Sequence, residues 1–224
     1  MNPKAPLFEW NSKKWEGKNQ RMYEKVGKNV WPWFYDALDP DIVTALNTHG
    51  VKTGTALDIG TCSGHQAIGL AKRGFEVVAS EVSETALEDA RKNIAAIVPE
   101  LPITLAIDDI VDSKFLSDKF DVIFDRGCFH SICLFAAEEY AAQLKRIGKK
   151  GAIIFIKTMS IDENRFVQFD KIGDKELPMP YRFEKVELEK FFGRHFGQCE
   201  VKPSVFYSNT INPPGQAWLT TIRL

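Results

Sequence analysis

The chain has 224 residues, 44% of them hydrophobic and 26% charged, enough to bury one substantial core and most simply organised as one domain over 1–224. A formal net charge of −1 gives no general pull towards nucleic acid or an anionic membrane surface, so neither is expected as a partner. No apolar run exceeds strand length and Met1–Trp10 lacks a signal-peptide pattern, so a soluble, cytoplasmic protein with no membrane partner is expected.

After a leader rich in Trp and Lys, a short helix is predicted over Asp41–Asn47, following Asp39-Pro40 and closed before Gly50. Ala56–Ile59 is a short apolar strand entering a turn, and His65–Arg73 carries Ala67, Ile68, Leu70 and Ala71 on a helical stripe ended by Gly74. Phe75–Ala79 is the next strand. Thr85–Val98 repeats apolar residues at helical spacing until Pro99 stops it. Ile103, Leu105 and Ile107 alternate as a third strand, Phe120–Phe124 makes a fourth, Glu138–Ile147 a helix and Ala152–Ile156 a fifth strand. Ser160–Pro180 is a long irregular stretch of the kind that serves as a lid or binding loop. Val186–Phe196 is helical, and Glu200–Tyr207 and Ala217–Arg223 are strand-like runs with no helix between them, which must pair antiparallel. The reading is α/β: a doubly wound, seven-stranded, mostly parallel sheet with an antiparallel C-terminal pair.

In such a sheet the ligand lies beyond the carboxyl ends of the strands where the strand order reverses. Asp58-Ile59-Gly60-Thr61-Cys62-Ser63-Gly64 is the first strand-to-helix turn. Gly60 and Gly64 let the backbone bend and approach a ligand, and the N–H groups opening the next helix favour an anionic group. Glu81, about twenty residues on at a strand end, can accept from both ribose hydroxyls. Asp109 can accept from an adenine amino group, and the Ile110 N–H can donate to the ring. Each residue also has a plain alternative: Asp58 as a brace for the loop, Glu81 as a helix-start acid, and Asp108 or Asp109 as part of a solvated turn. NAD would require glycines at Cys62 and His65, and no phosphate loop of the ATP type occurs. The four cysteines form no Cys-x-x-Cys pair and show no zinc spacing with histidine, so reduced thiols and no metal are expected.

The stretch LDIGTCSGHQAIGLAKRGFEVVASEVSETAL resembles motif I and the following acidic strand end of class I S-adenosylmethionine-dependent methyltransferases. The resemblance implies S-adenosylmethionine as cofactor, with Asp58, Gly60, Cys62, Gly64, Glu81, Asp109 and Ile110 around it. A narrower resemblance runs through FDVIFDRGCFHSI, the leader FEWNSKKWEGKN and PMPYRFEKVELEKFFGRHF, which are similar to segments of thiopurine and related thiol S-methyltransferases and of tellurite-resistance-like enzymes. That likeness implies a lid over the cofactor from residues 1–40, a small-molecule methyl acceptor such as a thiol or other soft nucleophile, and Arg126 beside both cofactor and acceptor. Cys62 departs from the usual small residue, and the lid tryptophan is open among Trp10, Trp15, Trp31 and Trp33, with Trp33 placed on the cofactor. An acceptor pocket would draw on Trp31, Trp33, Phe34, Phe129 and Phe135. Arg126 holds an anion or forms an ion pair with Asp125, and His130 takes the acceptor's proton or packs at a helix start. A cofactor-binding scaffold without transfer chemistry, or a different acceptor class, stays open, as does the oligomeric state.

Overall fold

The computed structural model describes residues 13–18, 20, 31–97, 99–165, 168–172 and 175–224. Among these residues nine strands and five main helices follow one another: α1 Pro40–Thr48, β1 Gly54–Ile59, α2 His65–Lys72, β2 Phe75–Glu81, α3 Glu84–Ala95, β3 Ile103–Ile107, β4 Phe120–Arg126, α4 Phe129–Ile147, β5 Gly148–Met159, β6 Gln168–Ile172, β7 Lys175–Met179, α5 Lys185–Phe196, β8 Cys199–Phe206 and β9 Gly215–Arg223. Residues 13–18 of the leader are helical as well, whereas Trp10 and Val98, the far end of one expected helix, lie outside the described residues.

Seven strands form one sheet in the order β3-β2-β1-β4-β5-β9-β8, parallel except for β9, which runs antiparallel to both β5 and β8. The order reverses beside β1 and β4, and ligands of open α/β sheets lie outside such a point. Strand periodicity sets the two cores, because successive side chains face opposite sides of the sheet. Val122, Phe124, Ile153 and Phe155 pack against Ile42, Leu46, Ala67 and Leu70 of α1 and α2. Ile123, Ile154 and Ile156 face Phe129, Tyr140, Leu144, Leu188 and Phe192 of α4 and α5. No described helix is long and apolar enough to cross a membrane.

Two elements differ from expectation. The helix expected from Glu138 begins at Phe129, with non-helical angles at Ala136 (φ −145°, ψ 26°) dividing it. Its first turn carries Phe129, His130, Ser131 and Ile132, all buried, so its start shows no one-sided amphipathic spacing. The stretch Ser160–Pro180 contains an antiparallel hairpin, β6 with β7, which stands apart from the main sheet.

Candidate active site

A cavity of about 230 Å³ opens at the carboxyl ends of the parallel strands. One end is lined by Gly60 and Cys62 after β1, Glu81 closing β2, and Asp108, Asp109 and Ile110 after β3. The other end is lined by Gly127, Cys128, His130 and Ile132 at the start of α4, together with Met159 and Phe206. Trp15, Lys18 and Trp33 of the leader contribute a wall, and Arg126 lies at the junction.

The loop after β1 takes its shape from three local devices. Gly60 has φ +65°, a region that favours glycine, and Cys62 adopts φ +52° in the same region at a local cost of roughly 1–2 kcal/mol. The Cys62 N–H donates to Glu81 Oε2 at 3.1 Å, so the loop is bonded to the end of β2. Beneath it, Asp58 Oδ2 accepts the Thr61 hydroxyl at 2.6 Å; burial pushes this carboxyl up to about 7, with Thr61 opposing the shift. Asp58 lines a second, smaller hollow on the other side of the loop, shared with Trp33, His65, Gln66 and Arg126. Gly64 lines neither hollow. It is the left-handed N-cap of α2, φ +79°, and a Cβ there would lie 3.1 Å from Ala90 Cβ, so it serves helix packing.

Glu81 is buried, and burial raises its carboxyl above the usual range. Oε1 accepts the Val82 N–H at 2.9 Å and the Ser83 N–H at 3.2 Å, which aims the group at the end of the strand and leaves acceptor capacity on Oε2. Asp109 caps the short turn that follows, accepting the Val111 N–H at 3.2 Å. Asp108, which the sequence reading set aside, also lines the cavity: Oδ1 accepts the Lys114 N–H at 2.8 Å, while Oδ2 is buried without a hydrogen-bond partner. A buried carboxylate oxygen is costly unless something donates to it, and an adenosine edge brings donors. The only signal for it in the sequence was its adjacency to Asp109.

At the opposite end, Arg126 is 8% exposed and its N–H groups are committed to three segments. Nε donates to Asp39 Oδ2 at 3.0 Å, one terminal nitrogen to the Trp33 carbonyl at 3.0 Å, and the other to the Tyr207 carbonyl. Its ion-pair partner is thus Asp39, not Asp125. Asp125 instead accepts from the Gly127, Cys128 and Phe129 N–H groups and from the Tyr140 hydroxyl, capping α4, and burial lifts it to about 6. Lys157, beside Arg126 on β5, completes a buried network by donating to Asp39 at 2.6 Å, to Asp41 at 3.0 Å and to the Val205 carbonyl at 2.9 Å.

His130 Nδ1 accepts the Met159 N–H at 3.1 Å, so the neutral ring carries its proton on Nε2. Burial first, then the charges of Lys18 and Arg126, lower its pKa to about 3. Gly127, φ +102°, makes room for it: a Cβ at that position would lie 3.0 Å from His130 Nε2. Cys128 is pushed well up by burial and by the carboxylates of Asp125, Asp109 and Glu81. Of the aromatic residues expected around an acceptor, Trp33 lines the main cavity, Trp31 and Phe34 line only the smaller hollow, and Phe129 is core, packed on Tyr140, Phe183 and Phe192. Phe135 packs at the edge of that core.

Comparison with known proteins agrees with this arrangement. Residues 56–151 match the family described as a methyltransferase domain. The chain is 25% identical over 179 residues, 80% of its length and 74% of the relative, to the 2-heptyl-1-hydroxyquinolin-4(1H)-one methyltransferase of Mycobacteroides abscessus. In fold it is similar to the Burkholderia thailandensis 1,6-didemethyltoxoflavin-N1-methyltransferase bound to S-adenosylhomocysteine, with TM-score 0.70, 13% identity and coverage of 100% and 91% of the two chains. It is also similar to a structure described as "Conversion of a Disulfide Bond into a Thioacetal Group during Echinomycin Biosynthesis", with TM-score 0.71, 22% identity and coverage of 93% and 92%. Strand order, glycine loop, acidic strand end and these likenesses converge on one activity, S-adenosylmethionine-dependent methyl transfer, with residues 56–151 similar to a methyltransferase domain.

Proposed function

We propose that the protein methylates a small molecule whose nucleophile is soft or arrives already ionised, a thiolate first of all. The observation that carries this is the lack of a proton acceptor among the described side chains at the acceptor end. His130 has its Nδ1 lone pair engaged and its proton on Nε2, Cys128 is held protonated, and the Asp125 oxygens are occupied by α4 and Tyr140. A neutral alcohol, or an amine that arrives as its ammonium, would need a base there; a thiolate needs none.

When bound, the cofactor supplies an electrophilic methyl group on a sulfonium. Glu81 would hold the ribose hydroxyls, Asp108 and Asp109 the adenine edge with the Ile110 N–H, and the backbone around Gly60 and Cys62 the amino-acid end. The leader acts as the lid, with Trp15 and Trp33 excluding water from the transfer. In support, Glu16 accepts from the Ser83 hydroxyl at 2.7 Å and from the Thr85 N–H at 3.3 Å, which fastens residues 13–18 to the start of α3. Bonds from Thr85 and Ser83 outweigh the opposing effect of burial and keep the Glu16 carboxyl below its usual value. Arg126 organises rather than reacts: it joins lid, α1 and the segment after β8 around the transfer point. His130 offers a hydrogen-bond donor at Nε2. A second reading, an acidic hydroxyl on a nitrogen heteroaromatic, is favoured by the hydroxyquinolone relative and needs no base either.

Two measurements test the proposal. Glu81→Ala should raise the S-adenosylhomocysteine dissociation constant roughly ten- to hundred-fold, about 1.5–3 kcal/mol, in calorimetry. With thiols of graded acidity, the inflection of kcat/KM against pH should follow each acceptor's own pKa. A fixed inflection for all acceptors, or product from amines alone by mass spectrometry, would reveal an enzyme base and end this reading.

A further inference from the structure

Segments from outside the cofactor-binding turns meet at the acceptor end of the cavity. Met159 closes β5, Pro180 follows β7, and Ile211 and Gly215 lie where β8 gives way to β9; all four line the cavity. Their place at this end follows from their neighbours. The Tyr181 N–H donates to the His130 carbonyl at 2.8 Å, the Phe183 N–H to the Met159 carbonyl at 2.9 Å, and Gly215 is the strand partner of Phe206. One buried side chain joins these segments. Glu163, 2% exposed, lies just beyond β5, and its carboxylate accepts from both sides. The Arg165 backbone N–H and Nε donate at 2.9 Å each and a terminal Arg165 nitrogen at 2.6 Å, while the Gln216 N–H, next to Gly215, donates at 3.0 Å. Arg165 carries the joint further, donating to the Pro213 carbonyl at 2.9 Å and to the Pro214 carbonyl at 3.3 Å, and Arg182 donates to the Glu163 carbonyl at 3.0 Å. The bonds from Arg165 hold the Glu163 carboxyl down at about 2 against the effect of burial, so it accepts as a carboxylate with both oxygens in use. Glu81, Asp108 and Asp109 stand at the ends of β2 and β3, separated from β5 and β9 in the sheet by β1 and β4.

We propose that Glu163 is a positioning residue for the methyl acceptor: it fixes the β8–β9 connection against the segments that flank the β6–β7 hairpin, and so sets the outer wall of Pro180, Ile211 and Gly215 against which the acceptor is held. This deepens the function proposed above and rests on its placing the acceptor at this end of the cavity, but it does not require the acceptor to be a thiol. Glu163 is not itself among the residues that line the cavity. Loosening the wall therefore removes acceptor binding and leaves the cofactor turns and the transfer step as they were.

The test compares the wild type with Glu163→Gln and Arg165→Lys, using initial rates by mass spectrometry with 4-nitrothiophenolate, 1-hydroxyquinolin-4-one and benzylamine, and calorimetry with S-adenosylhomocysteine. A glutamine has one acceptor oxygen and cannot serve Arg165 and Gln216 together; a lysine keeps a charge beside Glu163 but cannot span to both proline carbonyls. With whichever of the three acceptors the wild type turns over best, Glu163→Gln should raise the acceptor KM about tenfold and Arg165→Lys about threefold, while kcat and the S-adenosylhomocysteine dissociation constant stay within about twofold. A role in folding alone would lower the urea midpoint without this split. An unchanged acceptor KM in Glu163→Gln, a loss confined to kcat, or a parallel loss of S-adenosylhomocysteine affinity would overturn the positioning role; if that variant does not fold, the same outcomes in Arg165→Lys decide. The two readings fail separately: transfer to benzylamine alone ends the thiolate reading and leaves this test intact, transfer to the thiolate with an unchanged KM in the variant ends only the positioning role, and transfer to none of the three ends both.

Discussion

Single side chains in this site are set by what their second atoms do. His130 was legible as an ionisable group near β4, but its role turns on Nδ1, which is filled by the Met159 N–H from the neighbouring strand. The folded ring, with a pKa near 3, binds fewer protons than the unfolded chain at any pH between that value and the ordinary 6.5. Its contribution to stability is therefore complete above about pH 6.5 and is lost as pH falls towards 3. Nitrogen-15 spectra should show one imidazole that stays neutral, with its proton on Nε2, from pH 8 down to 5; titration of that ring near pH 6.5 would contradict the assignment. Glu81 and Gly60 were readable because the distance from a glycine turn to the next strand end is local and recurrent. Asp108 was not, since its unpartnered oxygen is a fact of burial and has no trace in the pattern.

At the scale of elements, the start of α4 gives the clearest case of structure that sequence periodicity hides. Its cap is the preceding strand's last inward carboxylate, Asp125, and its first turn, Phe129 to Ile132, is buried on every side, so neither a serine-type cap nor an amphipathic stripe announces it. The β6–β7 hairpin was missed because it is a two-stranded sheet of its own, outside the strand-and-helix alternation that marks the main sheet. The junction of β4 and α4 also stakes much on Gly127. Gly127→Ala should cost about 1–3 kcal/mol through its left-handed backbone and the displaced His130 ring. In a His130→Ala background the clash is gone and only the backbone cost remains, so the loss in urea unfolding should shrink. Equal losses in the two backgrounds would mean that the ring does not feel the added methyl group.

Over the whole molecule, the parallel core followed from the regular succession of strand-like and helical runs, whereas the clamp around the active site did not. Arg126 reaches partners 81, 87 and 93 residues away, and Lys157 joins Asp39 across 118, distances at which no local pattern survives. The group holds two cations, Arg126 and Lys157, and two carboxylates, the buried Asp39 and the partly buried Asp41, and burial, joined by the charge of Arg126, pulls the Lys157 pKa down against the pull of the aspartates. Lys157→Met should destabilise by about 3 kcal/mol because it strands a carboxylate. Adding Asp41→Asn restores the charge balance and should recover part of that loss in denaturant unfolding, whereas simple additivity would show that the four groups do not act as a unit. The position of β9 bears on how such a chain acquires its shape. It is threaded between β5 and β8, so the five parallel strands are all synthesised well before the strand that shields the flank of β5. Until then β5 presents a bare, sticky edge, and β8 has nowhere to dock. Because the Tyr207 carbonyl that Arg126 grips lies between those late strands, the nascent chain can shape the floor of its pocket early but must wait for the final hairpin to fasten the roof.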